Sequence, residues 1–77
     1  MTDLTCIIPC YKEDPKVVIE LCNKLSWLGC NVIVVDDGSY MELPEEVHTV
    51  SYTPHMGYGY AIKRGIKSAI TPLICTL

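Results

Sequence analysis

Two adjacent carboxylates, Asp36 and Asp37, close the apolar run Val32–Ile33–Val34–Val35 and are followed by Gly38 and Ser39. Acids in this position can accept hydrogen bonds from an amide-like ring N–H or from ribose hydroxyls, and the glycine lets the backbone turn sharply. Tyr11 offers an aromatic face to a planar base. The segment His55-Met56-Gly57-Tyr58-Gly59-Tyr60 precedes a helical pattern, so its backbone amides and the positive end of that helix favour a diphosphate. Each of these residues also has a plainer use. Asp37 can hydrogen-bond its own loop, as Asx residues do in turns. Tyr11 can be simple packing, and Glu13 can extend the cap of the helix behind it. A GxG before a helix often serves close packing, and Lys63 and Arg64 suit a solvated face.

The elements that must position these residues are legible in the apolar spacing. Leu4 to Pro9 reads as a short buried strand ended by proline. Asp14 is a good N-cap and Pro15 fits the first helical position, so a helix should run to about Leu28, where Gly29 stops it. Val17, Val18, Leu21, Cys22, Leu25 and Leu28 form its apolar face. Asn31 to Val35 is a continuous β-branched run, the pattern of a parallel strand covered on both faces. Strand, helix, strand with short joins is a right-handed βαβ unit. The polar stretch between Val35 and His48 leaves room for at most a turn or two of helix.

His48 to Thr53 reads as a third strand at a sheet edge, ended by Pro54. From Gly57 a second helix places Ala61, Ile62, Ile66, Ala69 and Ile70 on one side and Lys63, Arg64 and Lys67 on the other, with Pro72 closing it. Leu73 to Leu77 is a fourth apolar strand. The expected fold is α/β, three-layered and Rossmann-like, β-α-β-β-α-β, with a mostly parallel four-stranded sheet in the order 3-2-1-4. Ligands of such sheets sit outside the carboxyl ends of the strands, where the loops Pro9–Glu13, Asp36–Tyr40 and Pro54–Gly59 converge.

Composition narrows the class. The 77 residues make one small domain, 49% hydrophobic and 19% charged, which is globular rather than disordered. Six Lys plus Arg against nine Asp plus Glu, a net charge of −3, argue against nucleic acid as the main partner. No apolar stretch approaches the ~18 residues of a membrane span, and Asp3 stands where a signal peptide would carry basic residues. A cytoplasmic chain is expected, with membrane association of a longer parent left open. Five cysteines, an odd number without a CxxC pair, read as reduced structural thiols, and His48 and His55 are not placed to complete a zinc site.

The stretches CIIPCYKED (residues 6–14), VIVVDDGS (32–39) and GYGYAIKRGIKSA (57–69), with LICTL after them, follow the order found in glycosyltransferase family 2. Across nearly its whole length the chain resembles the N-terminal, nucleotide-binding half of these GT-A enzymes. The resemblance implies transfer of a sugar from a UDP- or GDP-linked donor to a hydroxyl acceptor, with inversion in most members. It implies that Pro9, Tyr11 and Glu13 line the base pocket, and that Asp37 binds the base while Asp36 supports the loop or the ribose. Gly38, Gly57, Gly59 and Lys63 would shape the nucleotide site. Mg²⁺ or Mn²⁺ is expected in the complete enzyme, where it neutralises the leaving diphosphate.

The chain departs from the family pattern in several places. Lys12 and His55 stand where asparagine is common, and the connection after Ser39 is short. The acidic Asp-x-Asp metal motif should begin just after Leu77, and neither it nor a downstream general base is among these residues. Residues 1–77 are therefore expected to be the donor-nucleotide part of such a domain, truncated before its metal motif. They should carry no catalytic or metal-binding residue, be inactive alone and bind nucleotide weakly. The alternative is a non-catalytic module that acts through self-association along the edge Leu73–Leu77, or through binding a partner there. A receiver-type domain fits less well, because its acids follow the first strand rather than the second.

Overall fold

A computed structural model describes residues 3–77. Among them the elements are β1 (Leu4–Cys10), α1 (Pro15–Trp27), β2 (Asn31–Asp37), β3 (Thr49–Tyr52), α2 (Tyr58–Ser68) and β4 (Leu73–Thr76). The strands form one sheet in the order β3-β2-β1-β4, and all three neighbouring pairs are parallel. This is the α/β Rossmann-like topology expected from the sequence, with no antiparallel strand among the described residues. No helix among them is long and apolar enough to cross a membrane.

The two central strands behave as their β-branched composition dictates. Ile7, Val34 and Val35 have no exposed surface, because both faces of β1 and β2 are covered. On one face Ile8, Cys10 and Val34 pack with Val18 and Cys22 of α1. On the other, Ile7, Ile33 and Val35 pack with Ala61 of α2. Pro9 is accommodated inside β1 rather than ending it. Ile7 gives its carbonyl to the amide of Leu77, so Pro9, two residues on, turns its missing N–H to the same side. The β4 ladder has already stopped there, at the Ile7–Thr76 pair.

α1 begins as its caps require. The Asp14 carboxylate accepts the Lys16 amide at 2.9 Å, with Pro15 in the first turn. At its far end the Cys30 amide reaches the Leu25 carbonyl and the Gly29 amide reaches that of Ser26, while Gly29 takes φ +91°. This is the paired closure of a Schellman motif. The buried face of α1 is narrower than its spacing suggests: Val17 and Leu28 are exposed, and Leu21 and Leu25 are only partly covered.

α2 differs more. It ends at Ser68 rather than at Pro72, and it lies on the sheet chiefly through the buried Ala61 and Gly65, with Ile62 packed partly buried beside them. A Cβ on Gly65 would come within 2.5 Å of Ile7 Cγ2, so the glycine allows the helix to approach β1 closely. That rotation leaves Ile66 half-exposed, and Ile70, beyond the end of the helix, is 91% exposed. β4 is likewise an exposed edge, with Leu73 and Leu77 more than half open to solvent.

The β2–β3 crossover, residues 38–48, contains no helix and closes with a turn from the Pro44 carbonyl to the Val47 amide. Met41, Leu43 and Val47 from this segment cover the α1-side core in the place of a helix. All five cysteines are free thiols. Burial pushes Cys6 up to about 11, with Cys30 and Cys75 adding to the rise, and pushes Cys10 to about 11 as well. At neutral pH both are protonated and act as small apolar side chains.

Burial, not size, therefore sets which apolar residues matter. Val34→Ala should lower unfolding free energy by about 2–3 kcal/mol through weakened packing and the cavity left behind. Trp27→Ala, at a side chain 87% exposed, should change it by no more than about 0.5 kcal/mol. Urea denaturation of the two variants checks the contrast.

Candidate functional site

Three loops meet at the carboxyl ends of the strands. Adjacent residues of a strand point to opposite faces, so Asp36 and Asp37 are sent to different places despite standing side by side. Asp37 lies on the α2 side and is 3% exposed, and Asp36 lies on the α1 side and is 1% exposed. Their carboxylates do separate work.

Asp36 organises its own loop. Its Oδ1 accepts the Ser39 amide at 3.0 Å and the Ser39 hydroxyl, and its Oδ2 accepts the Met41 amide at 2.7 Å. It borders a hollow of about 350 Å³ with Tyr40, Met41, Ser51, Tyr52 and Thr53. Asp37 instead reaches across to the loop between β3 and α2. The Met56 amide donates to its Oδ1 at 2.8 Å and the Gly57 amide to its Oδ2 at 2.9 Å. His55 Nδ1 is also 2.8 Å from Oδ2 and 3.3 Å from the Asp37 carbonyl. The negative charge beside the start of α2 is thus supplied by the protein, and the Met56 and Gly57 amides that the sequence offered to a diphosphate are already engaged.

Burial works to raise the Asp37 carboxyl. The Met56 amide, the Tyr52 hydroxyl, the Gly57 amide and His55 outweigh it and hold the group below the usual carboxylate range. Tyr52 Oη completes no hydrogen bond of normal length, but it is close enough for its dipole to favour the anion. Burial first, and the Asp37 charge second, push the Tyr52 hydroxyl upward in return. The Tyr52 ring is held edge-on by Tyr60, with centroids 4.9 Å apart. Arg64 lies over both rings and donates to Tyr60 Oη at 3.2 Å.

Gly38 makes the loop crossing possible. Its φ is +84°, and a Cβ there would meet the His55 amide nitrogen at 2.5 Å and His55 Cα at 2.9 Å. The two loops touch backbone to backbone at this point. Pro54, joined to Thr53 by a cis peptide bond, leads into the contact.

Of the residues singled out in the sequence, Pro9, Tyr11, Glu13 and Asp37 line one hollow of about 220 Å³, together with Cys10, His55, Tyr58 and Ala61. Gly38 and Gly57 (φ +101°) stand behind it as backbone supports. Asp36 faces the other hollow. Gly59 lies in the first turn of α2 with open space where a Cβ would go, and Lys63 is an exposed residue of α2; neither lines the hollow. His55, given no base-contacting role in the sequence, is the unforeseen member. Its ring stacks on Tyr11 with centroids 3.8 Å apart and planes inclined at 28°. Tyr52 was also missed, since nothing in an alternating edge strand distinguishes a tyrosine that backs a carboxylate.

A larger hollow of about 570 Å³ opens at the amino-terminal ends of the strands, bordered by Thr5, Asn31 and His48 among others. Volume alone would favour it, but none of the three strand-end loops reaches it, and open α/β sheets bind ligands at the other end. No cluster of three or more His, Cys, Asp or Glu side chains among the described residues is arranged to hold a metal ion. The two strand-end acids, committed to the contacts above, do not fit Mg²⁺ or Mn²⁺ as they stand. No protein-family model, no curated protein and no solved structure matches this chain.

Two outcomes follow from the Asp37 clamp. Asp37→Asn should cost about 1–3 kcal/mol at pH 7, because a buried amide loses its acceptor. The native carboxyl lies below the unfolded value of about 3.9, so its contribution is complete above that pH and is lost as the pH falls through the lower native value. The stability gap between the wild type and Asp37→Asn should therefore shrink in urea titrations below about pH 4. Gly38→Ala should cost roughly 1–3 kcal/mol from the left-handed backbone alone, and more from the contact with His55. Thermal melts would read this as a drop of several degrees.

Proposed function

We propose that the hollow bordered by Pro9, Tyr11, Glu13 and Asp37 is the base-binding part of a nucleotide site, and that the chain serves a glycosyltransferase using a UDP- or GDP-sugar donor and a hydroxyl acceptor. One observation carries this reading: an aromatic ring just past the end of β1 and a buried, ionised carboxylate at the end of the neighbouring parallel β2 border the same space outside the strand ends. Uracil and guanine each carry a ring N–H that a carboxylate accepts, and each offers a face to tyrosine. The likeness of residues 6–14, 32–39 and 57–69 to glycosyltransferase family 2 supports the choice of donor.

Within this reading the chain's own residues bind and orient rather than break bonds. Tyr11 stacks on the base, Asp37 accepts its ring N–H, Glu13 borders the mouth, and Asp36 keeps the Ser39–Met41 loop in place. Glycosyl transfer also needs the diphosphate neutralised and the acceptor hydroxyl positioned. In this reading the described residues perform neither task. A cytoplasmic setting, with the donor site facing it, belongs to the same reading.

A second reading has its own observation. The outer edge of β4 has no neighbouring strand among the described residues, and Leu73, Ile74 and Leu77 beside it are exposed, so a module that works by self-association is the alternative. Sedimentation at several concentrations tests this alternative, which requires the mass to rise with concentration; a mass that stays monomeric overturns it.

NMR titration tests the nucleotide reading. UDP or GDP should shift the signals of Tyr11, Glu13, Asp37 and Tyr58, and ADP and CDP, whose bases lack the ring N–H, should bind more weakly. Tyr11→Ala should weaken UDP or GDP by about tenfold, in line with base–aromatic stacking of about 1–3 kcal/mol. A folded sample unmoved by either nucleotide at millimolar concentration would rule the reading out.

A further inference from the structure

We propose that the imidazole of His55 is a resident stand-in for the base, occupying its place between Tyr11 and Asp37 until a nucleotide displaces it. This rests on the nucleotide reading of the hollow and adds a regulation to it. The same planar ring makes both contacts that a base would need. It stacks on Tyr11 at 3.8 Å, and one ring nitrogen, Nδ1, sits 2.8 Å from Asp37 Oδ2. In the tautomer carrying the proton on Nδ1, that contact is a ring N–H donating to a carboxylate, as uracil or guanine would donate.

The space agrees. With the imidazole forming part of its wall the hollow holds about 220 Å³, below the range of about 300–1,000 Å³ usual for small-molecule sites. Removing the ring opens the Tyr11 face and enlarges the hollow at the point where a base would enter.

The displacement is also mechanically simple. The His55 side chain is 47% exposed, so it can turn outward into solvent. The backbone beneath it is pinned, because His55 N and Cα lie against Gly38, and the change is confined to side-chain rotation. Asp37 keeps its bonds from the Met56 and Gly57 amides when the imidazole leaves. The buried carboxylate is never left without partners, and the position freed on Oδ2 is the one offered to the incoming ring N–H.

A nucleotide must then compete with an internal ligand, and apparent affinity falls by the fraction of molecules in which the site is open. Removing the imidazole should remove that penalty. The experiment compares wild type, His55→Ala and His55→Asn by calorimetric titration with UDP and GDP. It also follows the nuclear Overhauser signal between the Tyr11 and His55 rings in the wild type. The expected result is binding tightened by about tenfold in both variants, and disappearance of the Tyr11–His55 signal when the wild type is saturated. Variants that bind as the wild type does, or more weakly, would overturn the displacement while leaving the nucleotide site standing. If the variants fail to fold, persistence of the inter-ring signal in saturated wild type would overturn it. Absence of binding by every protein would remove the nucleotide reading and this inference with it.

Discussion

The carboxylate of Asp37 is the interaction on which the rest of the strand-end architecture depends. A charge this deeply buried is tolerated only when fully hydrogen-bonded. Its partners, the Met56 and Gly57 amides, are about twenty residues away on the loop before α2. Satisfying the acid therefore fixes where that loop crosses β2, where α2 begins and which way His55 faces. The start of α2 has no side-chain cap of its own from Gly57, and the nearby anion does that electrostatic work instead.

Two glycines make the arrangement sterically possible, for different reasons. Gly38 combines a left-handed backbone with a contact too close for any side chain, so the loops after β2 and β3 can lie against each other. Gly65 has no special backbone requirement; it is small because α2 lies directly on Ile7. The second contact sets the rotation of α2, which puts Ala61 in the core and carries Arg64 over Tyr52 and Tyr60. The aromatic pair in turn backs the Tyr52 hydroxyl beside Asp37. Helix packing and the electrostatics of the hollow are thus parts of one arrangement.

A hollow built this way is closed on itself. Tyr11 and Asp37 already have internal partners: Tyr11 has His55, and Asp37 has two amides and an imidazole. Such internal pairing keeps an aromatic face and a buried charge satisfied within a small domain.

Much was determined by the sequence alone, because local physics decides it. The β-branched runs specify central parallel strands, Asp14-Pro15 starts α1, Gly29 ends it, and short joins leave β3-β2-β1-β4 as the natural order. The same locality put Tyr11 and Asp37 at one end of the sheet. Other features depended on contacts between residues far apart in the chain, which spacing does not encode. Ile66 keeps a helical apolar rhythm yet stays exposed, because the close approach at Gly65 decides which way α2 turns, and Ile70 falls outside the helix altogether. Asp36 and Asp37 read as a pair but are parted by the alternation of the strand. Whether a carboxylate meets solvent, a ligand or a loop from elsewhere is settled only when the chain is packed, and here it meets His55, Met56 and Gly57 because folding brings that loop onto Gly38.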